Sequence, residues 1–312
     1  MEKALDLLSV GDLSVEALDR IVRAIGDIKK NPVKYKSRLD GKIIVMLFEK
    51  PSTRTRVSFE SAMLQLGGHS IDLSPTTTQL GRGETVADSA RVLGRYASAI
   101  VARVQSHETL KELAEYSDVP VINGLSDLEH PCQAVADLYS IYEVKGRLKG
   151  TSVSYVGDGN NVCNSLMLGC AMTGVNLKVA TPKKYRPSKE ILGKAAEIAK
   201  DSCGRIEVLD DPGEAVSGAD FVYTDVWISM GQEGVEEEKL RAFDGFQVND
   251  ALLSKAAKDV KVMHCLPAHR GVEITSKVLD GPRSIVWDQA ENRLHAQKAI
   301  LLYLLSKEPF YL

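Results

Sequence analysis

Apolar positions along the chain fall into two alternating periods. After Ser14, a natural N-cap, Val15, Leu18, Ile21, Val22, Ile25 and Ile28 recur at helical spacing. Ile43 to Phe48 is an unbroken apolar run, short enough for a strand buried on both faces. Thr55 to Leu66 reads as a helix stopped by Gly67 and Gly68. The pattern then predicts a helix from about Thr85, a strand over Ala99 to Val104, a helix from about Thr109 and a strand near Val119 to Ile122. Pro131 suits the first turn of a long helix running to Gly146.

Beyond Gly146 the alternation restarts. Strands are expected at Ser152 to Val156, Val175 to Ala180, Ile206 to Leu209, Phe221 to Thr224 and Val260 to Cys265. Helices are expected at Asn161 to Thr173, Ser188 to Lys200 and from about Asn292 to Leu305. Strands alternating with helices mean parallel sheets covered on both faces, so the fold class is α/β. Two such runs predict two domains, 1–148 and 149–312, each a mainly parallel sheet flanked by helices. Ligands in open α/β sheets bind beyond the carboxyl ends of the strands, which makes the post-strand loops the ones to read.

Charge and composition narrow the classes. Lys plus Arg number 39 against 42 for Asp plus Glu, a net charge of -3, which argues against a bulk electrostatic footprint for nucleic acid or an anionic membrane. No apolar run approaches ~18 residues, so no membrane span is expected. The opening MEKALDLLSV carries acidic residues within its apolar patch and does not read as a signal peptide. Five cysteines, an odd number with no Cys-x-x-Cys pair, fit a reducing cytoplasm better than a disulfide framework.

Four loops carry chemistry. Glu49-Lys50-Pro51-Ser52-Thr53-Arg54-Thr55-Arg56 lies between a buried strand and a helix, where hydroxyls, free amides and an arginine fork form a phosphate site. The blander alternative is an N-cap cluster with solvated arginines. His130-Pro131-Cys132-Gln133 opens the long helix and sets His130 and Gln133 three apart across its first turn, although a lone His before Pro is more often a capping residue. Gly157-Asp158-Gly159-Asn160-Asn161-Val162 invites a dinucleotide reading. Val162 stands where the third glycine belongs, and no acid caps the next strand, so NAD and NADP are disfavoured. Downstream, Asp225 and Ser229 offer groups suited to an ammonium, and Cys265 follows His264 and precedes Leu266-Pro267. Read alone, Asp225 is as readily a turn-former, Cys265 a buried thiol and Arg293, ahead of the last helix, a solvated charge.

Together these motifs resemble one family across essentially the full length: the ornithine carbamoyltransferases of the aspartate/ornithine carbamoyltransferase superfamily. Ser52-Thr53-Arg54-Thr55-Arg56 and His130-Pro131-Cys132-Gln133 look like the superfamily's carbamoyl-phosphate signatures. Asp225 with Ser229-Met230-Gly231, and His264-Cys265-Leu266-Pro267, look like the ornithine branch. The resemblance implies that Ser52, Thr53, Arg54 and Thr55 hold the phosphate. It implies that Arg103, His130 and Gln133 hold the carbamoyl carbonyl, and that Gln79, Pro131, Cys132 and Arg293 add further carbamoyl-phosphate contacts. Main-chain groups of Cys265 and Leu266 would take the carbamoyl amide, and the Cys265 side chain would sit beside the δ-amine. Asn161, Asp225, Ser229 and Met230 would bind L-ornithine. The resemblance also implies a homotrimer, or an assembly of trimers, with some contacts near Gln79 crossing between subunits, and a last helix (about 292–306) packing on the first domain. No cofactor or metal is expected, because no cluster has metal-ligand spacing and the arginines can neutralise the phosphate.

A free alkylammonium has a pKa near ~10.4, so the acceptor must lose its proton before it can attack. Burial lowers that pKa, and the departing phosphate can accept the proton. The segment from Trp227 to Glu238, punctuated by Gly231 and Gly234, reads as a candidate moving loop. Sister enzymes acting on aspartate, putrescine or an acylated ornithine are the nearest rivals. An aspartate site would need extra cationic groups, whereas Asp225 and Cys265 suit an uncharged or cationic tail.

Overall fold

The apolar run Ile43–Phe48 forms strand β1, and every residue from Ile44 to Phe48 is buried. It lies inside a parallel four-stranded sheet of order β2-β1-β3-β4, with β2 at His69–Leu73, β3 at Ala99–Arg103 and β4 at Val121–Leu125. The computed structural model describes residues 5–73, 83–228 and 236–306. The chain divides into two compact units, Met1–Tyr139 with Asn292–Leu312, and Ser140–Glu291.

In the first unit, helices α1 (Val15–Lys30), α2 (Thr53–Gln65), α3 (Val86–Tyr96) and α4 (His107–Tyr116) accompany the sheet. Each starts on a hydroxyl cap: Ser14, Ser52, Thr85 and Ser106 each accept a backbone N–H of the first turn. Leu47, Ile100 and Ala102 from the sheet pack with Leu110 and Leu113 of α4. Helix α5 (Pro131–Lys145) begins in this unit and ends in the second.

The second unit holds a parallel five-stranded sheet of order β7-β6-β5-β8-β9. Its strands are β5 (Ser152–Val156), β6 (Asn176–Ala180), β7 (Ile206–Leu209), β8 (Phe221–Thr224) and β9 (Lys261–His264). Helix α6 (Asn161–Thr173) is buried from Val162 to Met172, which is why its sequence is apolar all round. It ends at Gly174, whose φ of 72° is the left-handed conformation glycine adopts without strain. Helix α7 (Lys189–Ser202) and the short helices α8 (Pro212–Val216), α9 (Glu236–Ala242), α10 (Asp250–Leu253) and α11 (Ser276–Leu279) complete it. The last helix, α12 (Val286–Leu305), crosses into the first unit at Asn292.

Three features depart from the sequence reading. Strand β2 has no apolar run, because an edge strand with partly exposed residues needs none. The short helices α8 to α11 are each too brief to show a period. Helix α12 starts six residues earlier than expected, so Arg293 lies inside it rather than ahead of it. Among the described residues, no helix is long and apolar enough to cross a membrane.

Candidate active site

In the first sheet the chain moves outward from β1 to β2 and then returns to the other side of β1 as β3. The carboxyl ends of β1 and β3 therefore flank a topological switch point, where open α/β sheets bind ligands. Residues 49–56 leave β1 at this point, and Arg103 is the last residue of β3. Ser52 caps α2, its Oγ accepting the Thr55 N–H at 3.3 Å, so the capping reading of this hydroxyl holds. Thr53 and Arg54 are exposed on the first turn, where helix N–H groups and a guanidinium face solvent.

Arg293 is buried rather than solvated. Its Nη1 donates to Gln133 Oε1 at 2.8 Å and its Nη2 to the buried Thr55 Oγ1 at 3.1 Å. Gln133 in turn donates from Nε2 to Asp137 Oδ1 at 2.8 Å. A chain of hydrogen bonds thus ties α12 to the first turns of α5 and α2.

His130 precedes Pro131, the first residue of α5, and its carbonyl accepts the Gln133 and Ala134 N–H groups. Its imidazole is buried and its pKa is held well below the usual value, chiefly by burial and then by Arg293, Arg103 and Arg54. At neutral pH it is an uncharged ring with one N–H to donate. Cys132 turns into the core, where its thiol donates to the Asn123 carbonyl at 3.4 Å and burial pushes its pKa up to about 12. Its side chain is an inert packing group, so any ligand contact at this position belongs to the main chain.

The second sheet repeats the geometry. From β5 the chain runs to β6 and β7 on one side, then to β8 and β9 on the other. The switch point lies between β5 and β8. Asn160 and Asn161 follow β5, Asp225 follows β8 and Cys265 follows β9. The Asp225 carboxylate accepts the Cys265 thiol at 2.9 Å and Asn160 Nδ2 at 2.7 Å. Asn161 is half-buried at the start of α6, its Oδ1 accepting the Val162 N–H at 2.9 Å. Leu266 has a φ of 59°, a conformation costly for a branched side chain.

Asp225, His264 and Cys265 offer ligand atoms within 4.8 Å of one another, a grouping that spacing along the chain conceals. His264 is already committed. Its Nδ1 accepts the Leu266 N–H at 2.9 Å, which leaves Nε2–H to face Glu273 Oε1 at 3.0 Å. That leaves Asp225 and Cys265, which are hydrogen-bonded to each other at 2.9 Å, and two groups are too few for a metal cage. The same bonds keep His264 from acting as a base toward the Cys265 thiol.

The glycine loop before α6 has a packing role. A Cβ on Gly159 would lie 2.2 Å from the Pro187 nitrogen, and the Gly159 N–H donates to the Tyr185 carbonyl at 2.9 Å. Asp158 pairs with the buried Lys239 at 2.6 Å, while burial still raises its pKa. The segment expected to move from Trp227 onward is fixed at its first residue, for Trp227 is buried and stacks on Phe243 at 5.1 Å. Gln79, Ser229 and Met230 lie outside the described residues.

Comparison with known proteins matches both units. Residues 5–143 match the family model described as the aspartate/ornithine carbamoyltransferase carbamoyl-P binding domain, and residues 149–304 match the Asp/Orn binding domain. A curated protein named ornithine carbamoyltransferase, from Archaeoglobus fulgidus, is 54% identical over 304 residues, covering 97% of this chain and 98% of its own. The chain belongs to the ornithine carbamoyltransferase family. The solved ornithine carbamoyltransferase from Pyrococcus furiosus is similar with a TM-score of 0.93 and 51% identity, covering 97% of each chain. The anabolic ornithine carbamoyltransferase structure from Campylobacter jejuni gives a TM-score of 0.91 at 40% identity, covering 96% of this chain and 98% of that one. Against this carbamoyltransferase background, sequence reasoning missed Asn160, Asp137 and Lys239. Asn160 alone left a partial signal, as one of two adjacent asparagines where a post-strand loop opens a helix.

Proposed function

We propose that the protein transfers the carbamoyl group of carbamoyl phosphate to the δ-amine of L-ornithine, giving L-citrulline and phosphate. The observation that carries this reading is the first switch point. Arg54, Arg103 and Arg293 surround a neutral His130 there, which suits a small dianion with a polarisable carbonyl. Names carried by relatives over nearly the full chain support ornithine as the acceptor.

The chemistry is a direct displacement. The deprotonated δ-amine attacks the carbamoyl carbon, a C–N bond forms and the C–O bond to phosphate breaks. The amine proton leaves with the phosphate, giving hydrogen phosphate. Charge building on the carbonyl oxygen is stabilised by donors from Arg103 and His130, an oxyanion-hole arrangement. Gln133 completes this set: its Oε1 accepts Arg293 and one Nε2 hydrogen goes to Asp137, while the amide's second N–H can donate to the carbonyl oxygen. Asp225 takes the α-ammonium of ornithine, with Asn161, Ser229 and Met230 assigned to the remaining groups of its α-carbon. Cys265 stays a protonated thiol beside the δ-amine, with the Cys265 and Leu266 main chain at the carbamoyl amide.

The working assembly is a homotrimer in the cytoplasm. Val57 and Leu64 on α2 are 53% and 58% exposed and Ile71 on the edge strand β2 is 49% exposed, apolar positions that a neighbouring subunit would cover. All five cysteines are free thiols, as a reducing compartment requires. The direction we assign is anabolic, toward arginine; its support is the word "anabolic" in the name of a 52% identical Pyrococcus furiosus relative.

The test is an acceptor panel with carbamoyl phosphate, scoring ureido product, alongside the solution mass. L-Ornithine should be carbamoylated, and aspartate, putrescine and N-acetylornithine should not. Turnover of one of those three in place of ornithine overturns the substrate assignment.

A further inference from the structure

Asn160 occupies a position with two duties. Its Oδ1 accepts the Val162 N–H at 3.0 Å, the Cys163 N–H at 3.1 Å and the Tyr155 hydroxyl at 3.2 Å. The first two bonds cap α6, and the third comes from a fully buried phenol that burial keeps in its neutral form. Three donors converging on one atom require that atom to be the amide oxygen. The amide nitrogen must then point the other way, where Nδ2 donates to Asp225 Oδ2 at 2.7 Å. Asp225 is itself buried, and its other oxygen accepts the Cys265 thiol at 2.9 Å.

We propose that Asn160 is a positioning residue for the acceptor amino acid: it fixes the rotation of the Asp225 carboxylate so that one face is presented to the substrate ammonium. This inference rests on the assignment of Asp225 to the ornithine α-ammonium. A carboxylate on a loop has a free terminal torsion, and a substrate must pay to freeze it. The N-cap of a buried helix supplies that order in advance, because Asn160 cannot rotate without stripping the Cys163 N–H and a buried phenol of their acceptor, although the Val162 N–H is shared with Asn161. Asparagine is the residue type that fits. Serine or aspartate would cap the helix as well, but aspartate has no donor for a carboxylate and the serine hydroxyl stops at the γ position, short of where Nδ2 meets Asp225.

That contrast supplies the test. Asn160→Ser keeps a cap, but its shorter side chain cannot reach Asp225 as Nδ2 does. Its KM for ornithine should rise roughly tenfold or more, the effect of one lost bond to a charged group, while carbamoyl-phosphate affinity stays within about twofold. In an Asp225→Asn background the same change should add little, because the group it orients is gone. Asn160→Asp keeps both cap and shape but sets two carboxyl groups against each other. It should give the ornithine kcat/KM profile an ionisation that the unaltered protein lacks. Unchanged ornithine KM in Asn160→Ser, equal loss of both substrates, full additivity with Asp225→Asn, or an unaltered pH profile in Asn160→Asp would each overturn the inference. If Asp225→Asn alone leaves ornithine use intact, the Asp225 assignment falls and this inference falls with it. A normal Asp225→Asn defect beside a silent Asn160→Ser would sink the positioning role alone.

Discussion

The Cys265 thiol donates to the Asp225 carboxylate at 2.9 Å, across 40 residues of sequence. A thiol engaged as a donor is protonated, whereas nucleophilic catalysis needs the thiolate and a base to make it. The neighbouring imidazole is no such base, since His264 spends its lone pair on the Leu266 amide. Cys265→Ser should therefore stay active, because a serine hydroxyl can make the same donation to Asp225. Its ornithine KM should rise and its pH profile should change. A covalent route demands exchange of labelled phosphate into carbamoyl phosphate without ornithine, and a carbamoylated Cys265 on trapped enzyme. Detecting that adduct at a competent rate would replace direct attack with a two-step mechanism.

Asp225→Asn separates the two substrates. Asp225 lies at the switch point of the second sheet, and the arginines proposed for carbamoyl phosphate all belong to the first unit. The substitution should raise the ornithine KM by about tenfold or more, as expected for a bond to a charged group, and leave carbamoyl-phosphate binding to the free protein nearly unchanged. Direct binding of each ligand measures this, and equal weakening of both would make Asp225 structural.

What the sequence revealed follows from where the physical signal is local. Ile43–Phe48 and Asn161–Thr173 are legible because their residues are buried on every side, which forces an apolar run or an all-round apolar helix. The loops after β1, β5, β8 and β9 stand out because hydroxyl, guanidinium, amide and carboxylate groups gather just past strand ends, where open α/β sheets bind ligands. The bonds from Arg293 to Thr55 and Gln133 are not, since they close over 238 and 160 residues and only the fold sets them. For the same reason the bland alternative for Arg293, a solvated charge ahead of the last helix, does not hold: the residue is buried within α12. Asn160 was hidden by its neighbour: two adjacent asparagines look alike until the cap geometry tells them apart.

Arg54 is exposed in the first turn of α2 and, unlike Arg293, makes no bond to Gln133 or Thr55. Arg54→Ala should fold normally, because a solvent-facing side chain carries little packing. It should lose at least ~3 kcal/mol of apparent transition-state binding, the scale for removal of one charge-stabilising donor. Steady-state kcat/KM for carbamoyl phosphate reports the loss. Turnover near that of the unaltered protein would move the phosphate away from this helix end.

His130 couples the site to stability through its proton. Burial, reinforced by Arg293, Arg103 and Arg54, holds its folded pKa well below that of an ordinary imidazole. In the unfolded chain the ring takes a proton near pH ~6.5, while in the folded protein it stays neutral until far lower pH. The unfolded state thus binds one more proton below pH ~6.5, so this group's contribution to stability is intact above that value and lost as pH falls. The loss amounts to at most ~1.4 kcal/mol for each pH unit below the unfolded pKa. His130→Gln removes the titration and keeps a neutral donor of similar reach. The variant should be less stable than the unaltered protein at neutral pH, yet its stability should fall less steeply on acidification. Urea unfolding of the ligand-free proteins at about pH 7.5 and about pH 5.5 compares the two slopes directly. His107, whose pKa burial also lowers, is present in both proteins and cancels from the difference. Equal slopes would mean that His130 is protonated in the folded state, and the neutral-donor role at the carbamoyl oxygen would have to be abandoned.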